Sequence, residues 1–159
     1  MMIQTAPHPS AEIVRPFDIR IASSELAVRD ALAGVLRALG PLDLDIEELG
    51  TVELVLAEAL NNIVEHAYDH IGTCGPIFIH GTHEPDGLHF RIKDRGKAMP
   101  NGQIPLGMSK NIEVAVDDMP EGGFGWFMIR DLAKDVKYRR IGQENQLDLR
   151  LAVAIGYLN

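Results

Sequence analysis

The sequence predicts an α/β fold, a two-layer α/β sandwich in which helices pack against a mostly antiparallel mixed sheet. Two long segments in the first half repeat their apolar residues at helical spacing, which predicts amphipathic helices. The strand-like segments of the second half come in two pairs, each joined by a turn-rich tetrapeptide, which predicts hairpins. The predicted order is therefore β, α, α, β, β, an irregular segment, α, β, β, with no internal repeat.

The chain of 159 residues fits one domain with one core, because single domains usually contain about 100 to 200 residues. We expect a flexible leader over 1–15, which has two prolines among mixed polar residues, and a folded domain over 16–159. The domain opens with a strand, Pro16–Ala22, in which apolar and charged residues alternate.

Two amphipathic helices follow this strand. The first begins after Ser23 or Ser24 and closes at Gly40, and the second extends from 43 or 45 to about 69. The positions that we expect to face the core are Leu26, Val28, Ala31, Leu32, Val35, Leu36 and Leu39 in the first helix, and Ile46, Leu49, Val52, Leu56, Leu60, Ile63 and Ala67 in the second.

The second half is predicted as two hairpins, a lid and a helix. In order these are strands 77–81 and 88–93 around the turn 84–87, the lid at about 95–123, the helix 124–132, and strands 136–141 and 146–155 around the turn 142–145. The lid contains five glycines and three prolines and is longer than most connections, which is typical of a functional loop.

Composition and charge restrict the class of function. A net charge of -8 argues against direct binding of nucleic acid, which requires a basic surface. Cys74 is the only cysteine, no signal peptide is evident, and no apolar run reaches the ~18 residues that a membrane span needs. These features favour a cytoplasmic protein without membrane insertion.

The second predicted helix carries a polar row off its core face. Glu58, Asn62 and His66 are four residues apart, so they advance only about 40° per step around the helix. A carboxylate can activate a nucleophile, and an amide oxygen suits Mg²⁺, which takes few protein ligands besides phosphate and water. In isolation the same pattern is more typical of solvated helix positions.

Two further motifs stand in loops. Asp94-Arg95-Gly96 follows a strand, where Asp94 can accept a hydrogen bond from an exocyclic amine and Gly96 lets a ring approach the backbone, although Asp-x-Gly also forms ordinary turns. The run 121–126, Glu-Gly-Gly-Phe-Gly-Trp, leads into a helix whose free N–H groups can bind phosphate, although it also suits a plain linker. The order of all three motifs makes coincidence a poor explanation.

In this order the motifs resemble those of the GHKL ATPase superfamily, and within it the RsbW-like anti-sigma factor serine/threonine kinases. The segment 58–68 is similar to the family's N box, Asp94-Arg-Gly96 to its first glycine box and 123–129 to its second. The segment 135–139, after the last helix, is also similar, and the resemblance covers roughly 15–155.

The resemblance implies a Bergerat-type site for ATP and Mg²⁺. It gives Glu58 the role of general base, Asn62 that of Mg²⁺ ligand and Asp94 that of adenine acceptor. The nucleotide-binding residues expected from the motifs and the lid are Asn62, His66, Asp94, Gly96, Ala98, Lys110, Gly122, Gly123, Phe124 and Gly125. A solvated lysine is the alternative for Lys110, and His66 also has zinc-ligand spacing to His70, without a cysteine pair or clear third ligand.

Two positions depart from the family pattern. Ala98 stands where many members have a second glycine, and Asp148 stands near where a threonine often helps to hold the adenine. The implied partners are a sigma factor, an anti-anti-sigma protein of STAS fold, ATP or ADP, and a second copy of the chain. A non-catalytic binding module that responds to nucleotide, and the ATPase half of a histidine kinase, are the alternative functions.

Overall fold

The computed structural model describes residues 14–68, 74–104 and 123–153. In chain order the strands and helices are β1 (Phe17–Ala22), α1 (Glu25–Ala38), α2 (Ile46–Asn62), β2 (Pro76–Glu84), β3 (Gly87–Asp94), α3 (Gly123–Leu132), β4 (Lys134–Ile141) and β5 (Glu144–Leu151). Short 3-10 turns lie at Gly40–Leu42 and Pro100–Gly102. Every strand and helix expected from the sequence is present, with ends that differ by a few residues.

The five strands form one sheet in the order β1-β2-β3-β5-β4. Helices α1 and α2 pack on each other, α1 also packs on β1, and α3 packs on α2, so the helices form a single layer. The two-layer α/β sandwich is therefore confirmed. All four pairs of neighbouring strands are antiparallel, so the described part of the sheet lacks the parallel pairing that a mixed sheet would contain.

One hydrophobic core lies between the sheet and the helices. Alternation along each strand directs one set of side chains inward, as in the buried residues Ile77 and Ile79 of β2, and Leu147 and Leu149 of β5. Val14 is also buried in this core at 5% exposure, two residues before the domain start that the sequence predicts. No helix among the described residues has the length and apolar character to cross a membrane.

Both long helices begin at side-chain caps, as the sequence predicts. The Ser24 hydroxyl accepts from the Ala27 N–H at 3.1 Å, and Asp45 forms a capping box with Glu48. Two residues that were expected in the apolar stripes are exposed instead, Leu26 at 68% and Ile46 at 86%. On a 100° helical wheel Leu26 lies about 180° from Val35, so it cannot face the core. Ile46 is the first residue of α2, and its neighbours Asp45 and Glu47 are exposed as well.

Helix α2 ends in a π-helical turn, Ile63–Ala67, which the sequence did not predict. The Tyr68 N–H donates to the Ile63 carbonyl at 3.2 Å, five residues back, and this widens the last turn. The Ala67 carbonyl accepts from the Lys97 N–H at 2.8 Å. The end of the helix is thereby joined to the segment that follows β3.

The turn between β4 and β5 is shorter than the tetrapeptide 142–145 that was predicted. Ile141 pairs with Glu144, so the turn consists of Gly142 and Gln143, with Gly142 at a φ of +61°. Asn145 therefore belongs to β5, where it pairs with Asp94 of β3 and is only 4% exposed.

Candidate functional site

A pocket of about 210 Å³ lies between α2 and the inner face of the sheet. Four residues predicted to bind nucleotide line it: Asn62, His66, Asp94 and Ala98. Its apolar walls come from residues of α2, the segment after β3, α3 and β5, namely Ala59, Ile63, Met99, Trp126 and Leu147. Motifs that are more than thirty residues apart in sequence therefore meet in one cavity.

Asp94 is the last residue of β3 and is 4% exposed. Its Oδ1 accepts from the Gly96 N–H at 2.9 Å and from Asn145 Nδ2 at 2.7 Å. No described residue donates to its Oδ2, so this oxygen remains an acceptor for a ligand in the pocket. Burial raises the pKa of the Asp94 carboxyl, and the hydrogen bonds from Asn145 and Gly96 oppose that rise.

Gly96 is required by contact with the π-helical turn. A Cβ at this position would lie 2.3 Å from the Ala67 carbonyl oxygen, which is backbone and cannot move aside cheaply. The structure thus adds a helix contact to the ligand contact that the sequence predicts for this glycine. Ala98, two residues on, carries its methyl group on the pocket wall.

Three further polar residues surround the Asp94 carboxyl: Asn145 and Arg140, which the sequence did not single out, and Tyr138, which belongs to the similar segment 135–139. The Asn145 Oδ1 accepts from the Tyr138 hydroxyl at 2.5 Å and from Arg140 Nη1 at 2.9 Å. Tyr138 and Arg140 also contact the backbone after β3, since the Met99 N–H donates to the Tyr138 hydroxyl and Arg140 donates to the Gly96 carbonyl. We call Asp94, Gly96 and these three residues the Asp94 end of the pocket.

The alternation of buried residues along β5 could have identified Asn145 as an inward-facing residue. Leu147, Leu149 and Leu151 occupy alternate positions and are buried on the inner face, and Asn145 shares their parity. A polar residue in an apolar row of this kind indicates a buried hydrogen-bonding role. Assignment of Asn145 to the turn concealed the pattern.

Tyr68 fixes the π-helical turn to the sheet. Its hydroxyl donates to the Pro76 carbonyl at 2.8 Å and accepts from the Arg95 N–H at 2.6 Å. Burial is the main cause that raises the pKa of the Tyr68 hydroxyl. A Cβ at Gly75 would clash with the Tyr68 ring, so this contact also depends on a glycine.

Glu58 and Asn62 lie one turn apart on α2, beside the first turn of α3. A Cβ on Gly125 would lie 2.5 Å from Glu58 Oε2 and 3.7 Å from Asn62 Nδ2. Asn62 Nδ2 is buried and has no hydrogen-bond partner among the described residues. Of these three residues only Asn62 lines the pocket, and Glu58 and Gly125 lie beside it. We call the three together the Asn62 end of the pocket.

The remaining predicted residues divide into three groups. The His66 side chain is 49% exposed on the pocket rim, 3.9 Å from Glu65. Gly123 begins α3, and the helix continues through Phe124. Lys110 and Gly122 lie outside the described residues, as does the lid over 105–122.

Asp148 is not near the pocket, which corrects the expectation from sequence. It points to the opposite face of the sheet, where its carboxylate accepts from Arg91 Nε at 2.8 Å and lies 3.5 Å from Arg139 Nη2. Burial opposes ionisation of Asp148, but the hydrogen bonds from Arg91 and Gln146 outweigh it and lower its pKa. Leu147, one residue earlier, lines the pocket instead, because side chains alternate along a strand.

The family model of the histidine kinase-like ATPase domain matches residues 21–151. The chain belongs to this family. The match includes both ends of the pocket. The resemblance drawn from the three sequence motifs is confirmed.

Curated relatives of this histidine kinase-like ATPase domain are named serine-protein kinase RsbW. The protein from Halalkalibacterium halodurans is 32% identical over 117 residues, which are 70% of this chain and 66% of the relative. The protein from Bacillus cereus is 30% identical over 112 residues, which are 69% of this chain and 66% of the relative. The chain thus matches slightly less than two thirds of the length of these relatives.

A solved structure has the same fold. The crystal structure of the RsbU and RsbW domains of a Mycobacterium tuberculosis protein matches with a TM-score of 0.61 at 17% identity. The match covers 87% of this chain and 32% of that chain. At this identity the likeness shows the histidine kinase-like fold alone.

Proposed function

We propose that this protein is an anti-sigma factor and a serine/threonine kinase, which transfers the γ-phosphoryl group of ATP to an anti-anti-sigma protein of STAS fold. The observation that carries the proposal is one pocket lined by a buried carboxylate and a buried amide, in which one carboxylate oxygen and the amide nitrogen have no hydrogen-bond partner among the described residues. The RsbW name of the curated relatives supports the choice of reaction.

The Asp94 end suits the adenine base. Oδ2 of Asp94 accepts from the exocyclic amine, because Oδ1 is already used by Gly96 and Asn145. The apolar walls at Met99 and Leu147 cover the ring faces. Nucleotide binding at this end therefore depends on one charged acceptor in a mostly apolar cavity.

The Asn62 end suits the phosphates and Mg²⁺. A half-turn of the Asn62 amide exchanges its nitrogen and oxygen, so the side chain can present an oxygen to the metal. The free N–H groups of the first turn of α3 suit phosphate oxygens, and the absence of a side chain at Gly125 leaves room for the Glu58 carboxylate beside that turn. Bound Mg²⁺ would neutralise charge on the β- and γ-phosphates.

Glu58 accepts the proton of the attacking hydroxyl. The hydroxyl oxygen of the acceptor residue forms the new P–O bond, the bond between the γ-phosphorus and the ADP oxygen breaks, and ADP leaves with the electron pair. Glu58 is suited to this role because it lies one turn before Asn62 and against Gly125, beside the position proposed for the phosphates. We place the reaction in the cytoplasm, with a sigma factor and a second copy of the chain as further partners.

Calorimetric titration of MgATP into wild type and Asp94→Asn tests the proposal. Asp94→Asn presents an NH₂ group to the amine of adenine, and we expect the affinity to fall about 100-fold. The control Asp86→Asn removes an exposed carboxylate from the β2–β3 turn and should leave the affinity unchanged. Absence of MgATP binding to folded wild type, or equal binding to Asp94→Asn, would contradict the proposal.

A further inference from the structure

Asn145 has an environment that fits only one orientation of its amide. Nδ2 donates to Asp94 Oδ1 at 2.7 Å and to the Lys97 carbonyl at 3.0 Å. Oδ1 accepts from the Tyr138 hydroxyl and the Arg140 guanidinium. The reversed amide would place its oxygen against a carboxylate and a carbonyl, and its NH₂ group against a guanidinium. The orientation is therefore fixed by charge and not only by shape.

This orientation determines what Asp94 can recognise. The Asn145 donor favours the ionised carboxylate, which has acceptors only, and its geometry leaves Oδ2 toward the pocket. An ionised Oδ2 attracts an NH₂ group and repels a carbonyl oxygen. Loss of the donor would free the carboxyl group to rotate or to take up a proton, and a protonated carboxyl can donate to a carbonyl.

We propose that Asn145 is a positioning residue for base specificity, which makes the pocket select nucleotides with an exocyclic amine over those with a carbonyl at the same ring position. This inference rests on the proposed function and deepens it. Tyr138 supports the selection, since its hydroxyl donates to Asn145 and accepts from the Met99 N–H at 3.0 Å. The selection therefore depends on a hydrogen-bonded chain across β3, β5 and β4.

The test compares the affinities of ATP and inosine triphosphate, which differ at the base and share the same phosphates. Mg²⁺ is present throughout, and the Kd of each nucleotide is measured by calorimetry. In wild type we expect ATP to bind about 100-fold more tightly, because the site is built to accept from an amine. In Asn145→Leu, which has similar volume and no donor, we expect this ratio to fall at least about tenfold.

A matched control stands one residue along the same strand. Gln146 is also a buried amide, at 5% exposure, but it donates to Asp148 on the opposite face. Gln146→Leu should therefore keep the wild-type ratio. Tyr138→Phe removes one hydroxyl and should lower the ratio about threefold, and this variant decides the question if Asn145→Leu does not fold.

The ratio of the ATP and inosine triphosphate affinities distinguishes a positioning role of Asn145 from a merely structural one. Equal weakening of both nucleotides in Asn145→Leu and Tyr138→Phe, with the ratio kept, would overturn the inference. Equal affinities in wild type would also overturn it while leaving the proposed function in place. Failure of wild type to bind either nucleotide would instead refute the proposed function itself.

Discussion

At the Asp94 end of the pocket both polar atoms of Asn145 have protein partners, whereas at the Asn62 end a buried amide nitrogen has none among the described residues. The first end is built by three neighbouring strands, which hold their side chains in register. The second is built where two helices meet. On the proposed function, the sheet holds one carboxylate in position for an uncharged base, and the helices leave a buried amide whose partner is supplied by the bound phosphates and metal ion.

This comparison predicts different consequences of mutation at the two ends. Changes at the Asp94 end should alter which base binds and how tightly, because the interactions there are made in the bound ground state. Changes at the Asn62 end should alter turnover more than affinity, because in the proposed reaction the charges that develop during phosphoryl transfer lie there.

Glu58→Gln should have the largest effect. The amide keeps the shape of the side chain but cannot take the hydroxyl proton, and turnover should fall about a thousandfold, with ATP affinity within about twofold of wild type. Single-turnover transfer from radiolabelled ATP to a STAS-fold acceptor measures the first quantity, and calorimetry the second. Glu53→Gln, an exposed glutamate on the same helix, is the control. Unchanged transfer in Glu58→Gln would remove Glu58 from the mechanism.

Gly125→Ala should have the next largest effect on turnover. The new Cβ would displace the Glu58 carboxylate, 2.5 Å away, and we expect turnover to fall about tenfold because the base is moved from its position. The control is Gly50→Ala on α2, where a Cβ would meet no atom within 4 Å. That control should raise the free energy of unfolding by about 0.5–1 kcal/mol and keep full turnover. Equal turnover in both alanine variants would show that Gly125 does not hold Glu58 in place.

Asp94→Asn should stabilise the free protein while it weakens nucleotide binding. The folded-state pKa of Asp94 is raised by burial, so the stability linked to this group is fully present below the unfolded pKa and is lost as pH rises through the folded pKa. The amide of Asp94→Asn carries no charge at neutral pH and avoids that loss. We therefore expect the free energy of unfolding to rise by about 1 kcal/mol.

Urea unfolding of both proteins measures this gain. The advantage of Asp94→Asn should be greatest at neutral pH, should shrink as pH falls through the raised pKa of Asp94, and should vanish below the unfolded-state pKa of about 3.9. ATP affinity of the wild type should fall over the same range, because the acceptor is lost. A variant less stable than wild type at neutral pH would mean that the ionised carboxylate stabilises the fold.

Asp148→Thr should have the smallest effect. The threonine that the family pattern suggests would stand on the open face, away from the pocket, so ATP affinity should remain as in wild type. The free energy of unfolding should fall by about 0.5–1 kcal/mol, since a half-exposed network with Arg91 and Arg139 is lost. Tighter ATP binding by Asp148→Thr would show instead that position 148 faces the adenine site, as the family pattern suggests.

Local patterns predict most of this fold and part of its site. Alternation and helical spacing locate the strands and helices, and the Asp45 capping box marks the start of α2. The spacing of Glu58 and Asn62 predicts their shared side of the helix, which the common contact at Gly125 bears out.

What the sequence did not predict depends on contacts between distant segments. The π-helical turn at Ile63–Ala67 is accompanied by contacts with Gly96, Lys97 and Tyr68, which no local pattern contains. The role of Asn145 follows from its pairing with Asp94, 51 residues away. A one-residue difference in strand position also decides whether Asp148 or Leu147 faces the pocket.

The hydrogen bond from the Lys97 N–H to the Ala67 carbonyl joins the end of the second long helix to the loop that follows β3. Asn62 immediately precedes the π-helical turn, and the Ala67 carbonyl at the far end of this turn is tied to the Lys97 N–H of the loop that begins at Asp94. On the proposed function, the loop beside the base and the amide beside the phosphates are therefore joined through one helical turn of five residues.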